Sequence, residues 1–174
     1  MNIFMPCATI EDSVRALDDK RLIKQILECE QILEIFDRLD NGEQKVGYAN
    51  HPVVKHYYNL GFDGKFFVAF YGIIACREYE DRFFHHHSCW LGFNRKVRKY
   101  AQQVDSYCPK IEAIYVEGSK GSQNCTRETN GEKVLKLFKQ KLIKKWDNDK
   151  YKPRWTNRGK PTWYKGDNKN GRNI

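Results

Sequence analysis

Apolar residues recur along this chain mostly at spacings of three and four, the period of an α-helix, and rarely in strict alternation. The period is plain from Asp19 to about Leu39. At about 100° per residue, Leu22, Ile26, Cys29, Leu33 and Phe36 form one stripe. Ile23 and Leu27 lie off one side of it, and Ile32, Ile35 and Leu39 off the other. A helix apolar on most sides is expected at the centre of a fold. Asp18 or Asp19 can cap its start, and Asn41-Gly42 ends it.

The other elements follow from the same period. Thr9-Ile10-Glu11-Asp12 resembles a capping box with Asp in place of Glu or Gln, and opens a short helix to about Leu17. Asn50-His51-Pro52 starts a helix to about Leu60, with Pro in its first turn and Asn50 or His51 at the cap. Gly61-Phe62-Asp63-Gly64 breaks it. Lys65 to about His87 is a long helix with Phe66, Phe67, Phe70, Ile73, Ile74 and Phe84 as core residues. Asn94–Tyr107 is another, with Val97, Tyr100, Ala101 and Val104 inward. Residues 109–131 read as irregular, with at most a short strand over 111–116. Glu132–Trp146 is amphipathic: Leu135, Phe138, Leu142 and Trp146 face in, and Lys133, Lys136 and Lys144 face out. The expectation is a mainly α, compact single-domain helical bundle over residues 1–165. It carries an irregular basic and aromatic C-terminal arm, and residues 166–174 form a disordered tail.

With 174 residues, 40% hydrophobic and 30% charged, the chain can bury one sizeable core. No apolar run approaches the roughly 20 residues of a membrane span. No charged leader precedes an apolar segment, so a cytoplasmic protein is expected, in the host's cytoplasm if the chain is phage-encoded. The six cysteines include no C-x-x-C pair and read as reduced thiols. The net charge of +9 is unevenly spread. Residues 1–132 hold 17 Lys and Arg against 19 Asp and Glu; residues 133–174 hold 14 against 3. That asymmetry points to a polyanion partner, or, more simply, to a solubilising basic helix and tail.

Three stretches could carry chemistry. Arg21, Lys24 and Glu28 share one side of the central helix. A carboxylate held beside cations could act as a general base or stabilise a cationic sugar-like transition state; it could equally be an intrahelical ion pair. In Trp155–Lys165 aromatic and basic residues alternate. Their rings can stack on bases and their cations neutralise phosphates, or the Trp residues simply anchor the arm to the core. His85-His86-His87 with Cys89 invites a zinc reading, but consecutive residues on a helix end diverge too far to bind one ion together, and no ligand spacing completes a set. No metal and no cofactor is expected.

These residues match a known pattern. Met1-Asn2-Ile3-Phe4, Leu17-Asp-Asp-Lys-Arg-Leu-Ile-Lys24 with Glu28, Asn50-His51-Pro52, Glu78-Tyr79 with Arg82 and His87, and Trp155-Thr-Asn-Arg158 with Pro161-Thr-Trp163-Tyr164-Lys165 occur in order. In this the chain resembles the pyrimidine-dimer DNA glycosylase family of endonuclease V type, especially its phage-encoded branch. Residues 109–131 match least. The resemblance implies a compact α fold and no metal. It also implies an N-terminal α-amine that attacks C1′ of a nucleotide sugar, expels the base and forms a Schiff base. Glu28 falls at the catalytic glutamate. Asn2, Arg21, Lys24, His51, Arg82, His87, Trp155, Arg158, Trp163, Tyr164 and Lys165 become candidate substrate or phosphate contacts. The chemistry suits an α-amine, which is less basic than a lysine side chain and so is partly neutral and nucleophilic near neutral pH.

The terminus departs from the family pattern. Characterised members lose Met and present a small residue, whereas Asn2 is too large for ordinary Met removal. Either the Met1 amine is the nucleophile, or the nucleophile is lost and Glu28 activates water. The stretch from Ile3 to Glu28 is also longer than in the dimer enzymes. Three functions follow: a DNA N-glycosylase, with or without lyase activity, in repair of damaged or modified bases; N-glycosidic cleavage of a small nucleotide such as a cyclic-dinucleotide immune signal, in phage anti-defence; and a non-catalytic nucleic-acid-binding protein. The sequence does not fix an oligomeric state.

Overall fold

The computed structural model describes residues 1–103 and 129–166, with the side chains of the last segment described from Gly131. Helices dominate and no strand occurs among the described residues. In chain order they are α1 (Ile10–Ala16), α2 (Asp19–Asp40), α3 (Pro52–Asn59), α4 (Gly61–Phe83), α5 (Trp90–Ala101) and α6 (Thr129–Asn148). The expected strand over 111–116, residue Val104, and the tail beyond residue 166 lie outside the described residues. Among the described residues no helix is long and apolar enough to cross a membrane.

α4 is the hub, packed against α1, α2, α3 and α5. It buries Phe66, Phe67, Tyr71, Ile73 and Ile74. α2 buries the stripe Leu22, Ile26, Cys29, Leu33 and Phe36 together with Ile32 and Ile35. Its other flank is less covered than its composition suggests, because Ile23 and Leu27 are exposed. α6 docks through Phe138, Leu142 and Trp146, and the ring of Phe138 meets Phe4 edge-on at 5.9 Å.

Local chemistry sets the boundaries. Thr9 accepts from Asp12 N (3.1 Å) and returns its hydroxyl to Asp12 Oδ2 (2.9 Å), a reciprocal cap built with Asp. His51 caps α3, its Nδ1 accepting from Val53 N at 3.2 Å. Gly61 (φ +62°) reverses the chain, but Gly64 is no breaker and lies inside α4. A Cβ there would stand 1.9 Å from the Tyr57 carbonyl oxygen, so only hydrogen lets α3 and α4 approach this closely. α4 therefore starts four residues earlier than expected. It also ends earlier: Phe84 caps it in the left-handed region (φ +58°) and is 80% exposed rather than core. His85, His86 and His87 consequently follow the helix instead of forming its last turn. α5 begins at Trp90, buries Phe93 and Tyr100, and leaves Ala101 exposed.

The N-terminal segment threads through this core. Asn2 to Pro6 are buried without a strand partner, so side chains satisfy their backbone. The Gln25 amide accepts from Phe4 N (3.0 Å) and donates to Asn2 O (2.7 Å), while Tyr71 OH donates to Phe4 O (2.8 Å). The segment is thereby fixed between α2 and α4, with its α-amine delivered to one place.

Candidate active site

That place is beside Glu28. The Met1 amine lies 4.0 Å from Glu28 Oε1, and Asn2 N donates to Glu28 Oε2 at 3.1 Å. Lys24 Nζ is 3.8 Å from Oε1. On the amine's other side His51 Nε2 is 3.5 Å away, at the outer limit of a hydrogen bond. Nδ1 accepts at the α3 cap, so it is the Nε2 edge of the ring that turns to the amine.

Amine and carboxylate face a cleft of about 670 Å³. Met1, Asn2, Phe4, Gln25 and Glu28 line its inner part; Lys20, Arg21 and Lys24 come from α2, and Lys141, Lys144, Lys145 and Asn148 from α6. Asp149, just past α6, completes the lining. Arg21 spans the end of the cleft without touching Glu28. It bonds Asp18 (3.1 Å) and Asp149 (2.8 Å), so the proposed Arg21–Glu28 ion pair is replaced by a bridge between α2 and the end of α6. Arg21 holds the Asp149 carboxyl below its usual range. Burial would lower the Arg21 guanidinium, but the two carboxylates outweigh that and raise it. Two buried polar atoms of the lining residues, Asn2 Oδ1 and Arg21 Nε, have no hydrogen-bond partner among the described residues.

The C-terminal arm is not a wall of this cleft. Trp146 Nε1 donates to Asp18 Oδ1 (2.7 Å) and Trp155 Nε1 to the Ala16 carbonyl (3.1 Å). Trp163 stacks on Trp146 at 5.5 Å, and Tyr164 is buried against both Trp146 and Trp155. Arg158 is spent on Glu78 (2.9 Å) and Asp81 (2.7 Å). Lys165 is exposed, and its carbonyl accepts from Lys160 Nζ. None of Trp155, Arg158, Trp163, Tyr164 and Lys165 lines the cleft. The physical reason is that aromatic rings gain most from burial and their N–H groups find acceptors in the core.

Arg82 is sealed completely. Its guanidinium donates to Glu78, Asp19 and the carbonyls of Leu17 and Arg15, leaving no face for a substrate. Asp19 gathers Arg82, Arg154 and both donors of Thr156. Burial pushes its carboxyl up, and the bonds from Thr156, Arg82 and Arg154 more than reverse this, leaving it below the usual range. His87 packs edge-on against Tyr79 and accepts from Cys89 N; burial lowers its pKa, and it lies outside the cleft. Among the described residues no group of three or more His, Cys, Asp or Glu is placed to hold a metal ion. Cys7, Cys29, Cys76 and Cys89 are free thiols; burial pushes Cys76 up to about 12 and, helped by Glu30, Cys89 to about 11. Cys108 and Cys125 lie outside the described residues.

The cleft thus joins Met1, Asn2, Arg21, Lys24 and Glu28, with His51 touching the amine. Of the lining residues, the sequence reading missed Phe4, Lys20, Gln25, Lys141, Lys144, Lys145, Asn148 and Asp149 as site residues. The dense Lys block after residue 132 was the available signal for the α6 lysines, but which wall they form depends on docking.

An amine and a carboxylate at the inner end of a cation-rimmed cleft, on an all-α scaffold, is a site for attack at an electrophilic carbon of an anionic substrate. The model of the pyrimidine dimer DNA glycosylase family matches residues 1–91, and the chain belongs to that family. Membership makes it a DNA N-glycosylase, with DNA as its substrate. The matched segment contains Met1, Glu28 and His51 and ends before α6 and the arm. No curated protein and no solved structure matches the chain.

Proposed function

We propose that this DNA N-glycosylase works through the Met1 α-amine, with Glu28 as its catalytic carboxylate and strand cleavage following base release. The observation that carries this is the 4.0 Å approach of amine and carboxylate at the inner end of the cleft. In its neutral form the amine lone pair attacks C1′ as the C1′–N bond breaks. The departing base keeps that electron pair and takes up a proton. Glu28 faces the sugar, where its negative charge stabilises the positive charge that develops on the ring. It then accepts the proton that the attached amine must lose. Opening of the sugar ring gives an iminium, and loss of a C2′ proton expels the 3′-phosphate as the lyase step. His51 orients the amine, and the Asn2 N–H fixes the carboxylate. Lys20 and Lys24 on α2 and Lys141, Lys144 and Lys145 on α6 are placed to meet backbone phosphates on either side of the reacting nucleotide. Asn2 Oδ1 and Arg21 Nε are further candidate contacts.

The test is a base-release panel read by chromatography, using damaged-base duplexes, undamaged DNA and cyclic dinucleotides, each with and without borohydride. Expected are a free base from a damaged duplex and a reduced covalent adduct on the N-terminal peptide. Base release without an adduct would sink the amine mechanism in favour of water activated by Glu28. Release from the cyclic dinucleotides alone would move the substrate to small nucleotides, and no base from any of them would leave a binding module.

A further inference from the structure

Tyr48 is a large aromatic residue in a backbone conformation that L-residues avoid. Its φ is +62°, in the left-handed region, and it is 70% exposed. Gly or Asn would hold such a position at less cost. The loop around it is fixed. Ala49 N donates to Val46 O (3.3 Å) and His51 N to Tyr48 O (2.9 Å), while Val46 and Ala49 pack onto the core. The two overlapping turns leave Tyr48 projecting outward, and no ring or cation among the described residues packs on it. One turn further along is His51, whose ring contacts the Met1 amine at 3.5 Å. Strain of this kind is retained where a side chain must be presented rather than buried.

Resting on the glycosylase reading, we infer that Tyr48 stacks on the base adjacent to the attacked nucleotide. For the amine to reach C1′, that nucleotide must be drawn out of the helical stack or the duplex kinked around it. Either movement strips a neighbouring base of its stacking partner. Tyr48 is tied by its carbonyl to His51, which touches the amine, but it is not among the residues that line the cleft. Its ring is therefore offered to a base beside the attacked nucleotide rather than to the one released. Stacking accepts any base, so this contact supports binding without reading sequence. Tyr48 is a substrate-stacking residue in a segment the composition marks only as a loop.

The probe is a duplex with one tetrahydrofuran abasic site and 2-aminopurine beside it, which needs no knowledge of the preferred lesion. Tyr48→Ala should weaken binding by about 5- to 150-fold, the range of one aromatic–base stack. Tyr48→Phe should bind like wild type. Fluorescence of the 2-aminopurine in the complex should be lower with wild type than with Tyr48→Ala. Tyr48→Gly relaxes the backbone, so it should unfold no earlier than wild type and yet bind as weakly as Tyr48→Ala. Wild-type affinity and unchanged fluorescence in Tyr48→Ala overturn the inference, as does a wild-type protein that does not bind the probe. Failure of the glycosylase reading would show separately, as wild type releasing no base in the panel above.

Discussion

Replacing Glu28 by Gln separates chemistry from folding, because the structure makes the two costs very unequal. The carboxylate accepts one backbone hydrogen bond from Asn2 and approaches Lys24 and the Met1 amine. Gln keeps the shape and an oxygen acceptor, so the Asn2 bond survives in neutral form, at a loss of about 1 kcal/mol. Lys24 is 69% exposed, so its pair contributes no more than about 1 kcal/mol. The expected stability loss is about 1–2 kcal/mol, or a melting shift of roughly 2–8 °C for a chain of this length. The loss of activity should be far larger, about 10²- to 10⁴-fold, because charge stabilisation and proton transfer are both removed. Single-turnover base release measures the second, and urea unfolding with an unchanged m-value measures the first. A Glu28→Gln protein that folds and releases base within tenfold of wild type refutes the assignment. If it instead unfolds as a core mutant does, Glu28 is structural and the energetic reasoning is wrong.

Asp19→Ala removes an acceptor from the sealed Arg82 and frees Thr156 and Arg154, so about 3–5 kcal/mol should be lost in urea unfolding, with the arm's Trp fluorescence shifting red; a loss below 1 kcal/mol would contradict the hub. Asp19 and Asp149 both have depressed carboxyl values, below the ordinary 3.8. Their contribution is therefore complete above about pH 4 and is lost as pH falls through the lower folded values. The urea midpoint should fall steadily below pH 4, and a rise there would oppose the pairing described. Lys144→Ala and Lys145→Ala should each reduce the slope of log affinity against log salt by about 0.9 if the lysine meets a duplex phosphate, so an unchanged slope removes that residue from the interface. Gly64→Ala should destabilise by about 1–3 kcal/mol through its clash with the Tyr57 carbonyl, and a neutral result in thermal unfolding would mean that α3 and α4 can separate freely.

The helices were legible in the sequence because their period and caps are local properties. The buried stripe of α2, the Thr9 cap, Pro52 at the start of α3 and the inward face of α6 all follow from residues within a few positions of one another. Element ends were less legible where a residue did something unusual. Gly64 looked like a breaker, but its missing side chain serves a contact with another helix. Phe84 looked like core, but its left-handed backbone turns it to solvent. Glu28 could be singled out as a carboxylate among cations, and Lys24 does stand beside it, but its other neighbours, the Met1 amine and Asn2, are brought in by a segment that Gln25 and Tyr71 hold in place.

The charges show the division most clearly. Residue order alone shows that cations concentrate in the last quarter of the chain and that aromatic residues accompany them. It could not say which cations remain available. Tertiary structure decided that Arg82 and Arg158 are consumed by Glu78, Asp19 and Asp81, and that the arm's rings pack around Trp146. It also decided that lysines of α6 face Glu28 across a cleft. A helix face is set by covalent periodicity, which the sequence carries. Which two faces meet, and which charge finds a buried partner, depends on contacts between residues distant in the chain, as Arg82 and Asp19 or Arg21 and Asp149 are, and these exist only once the chain has folded.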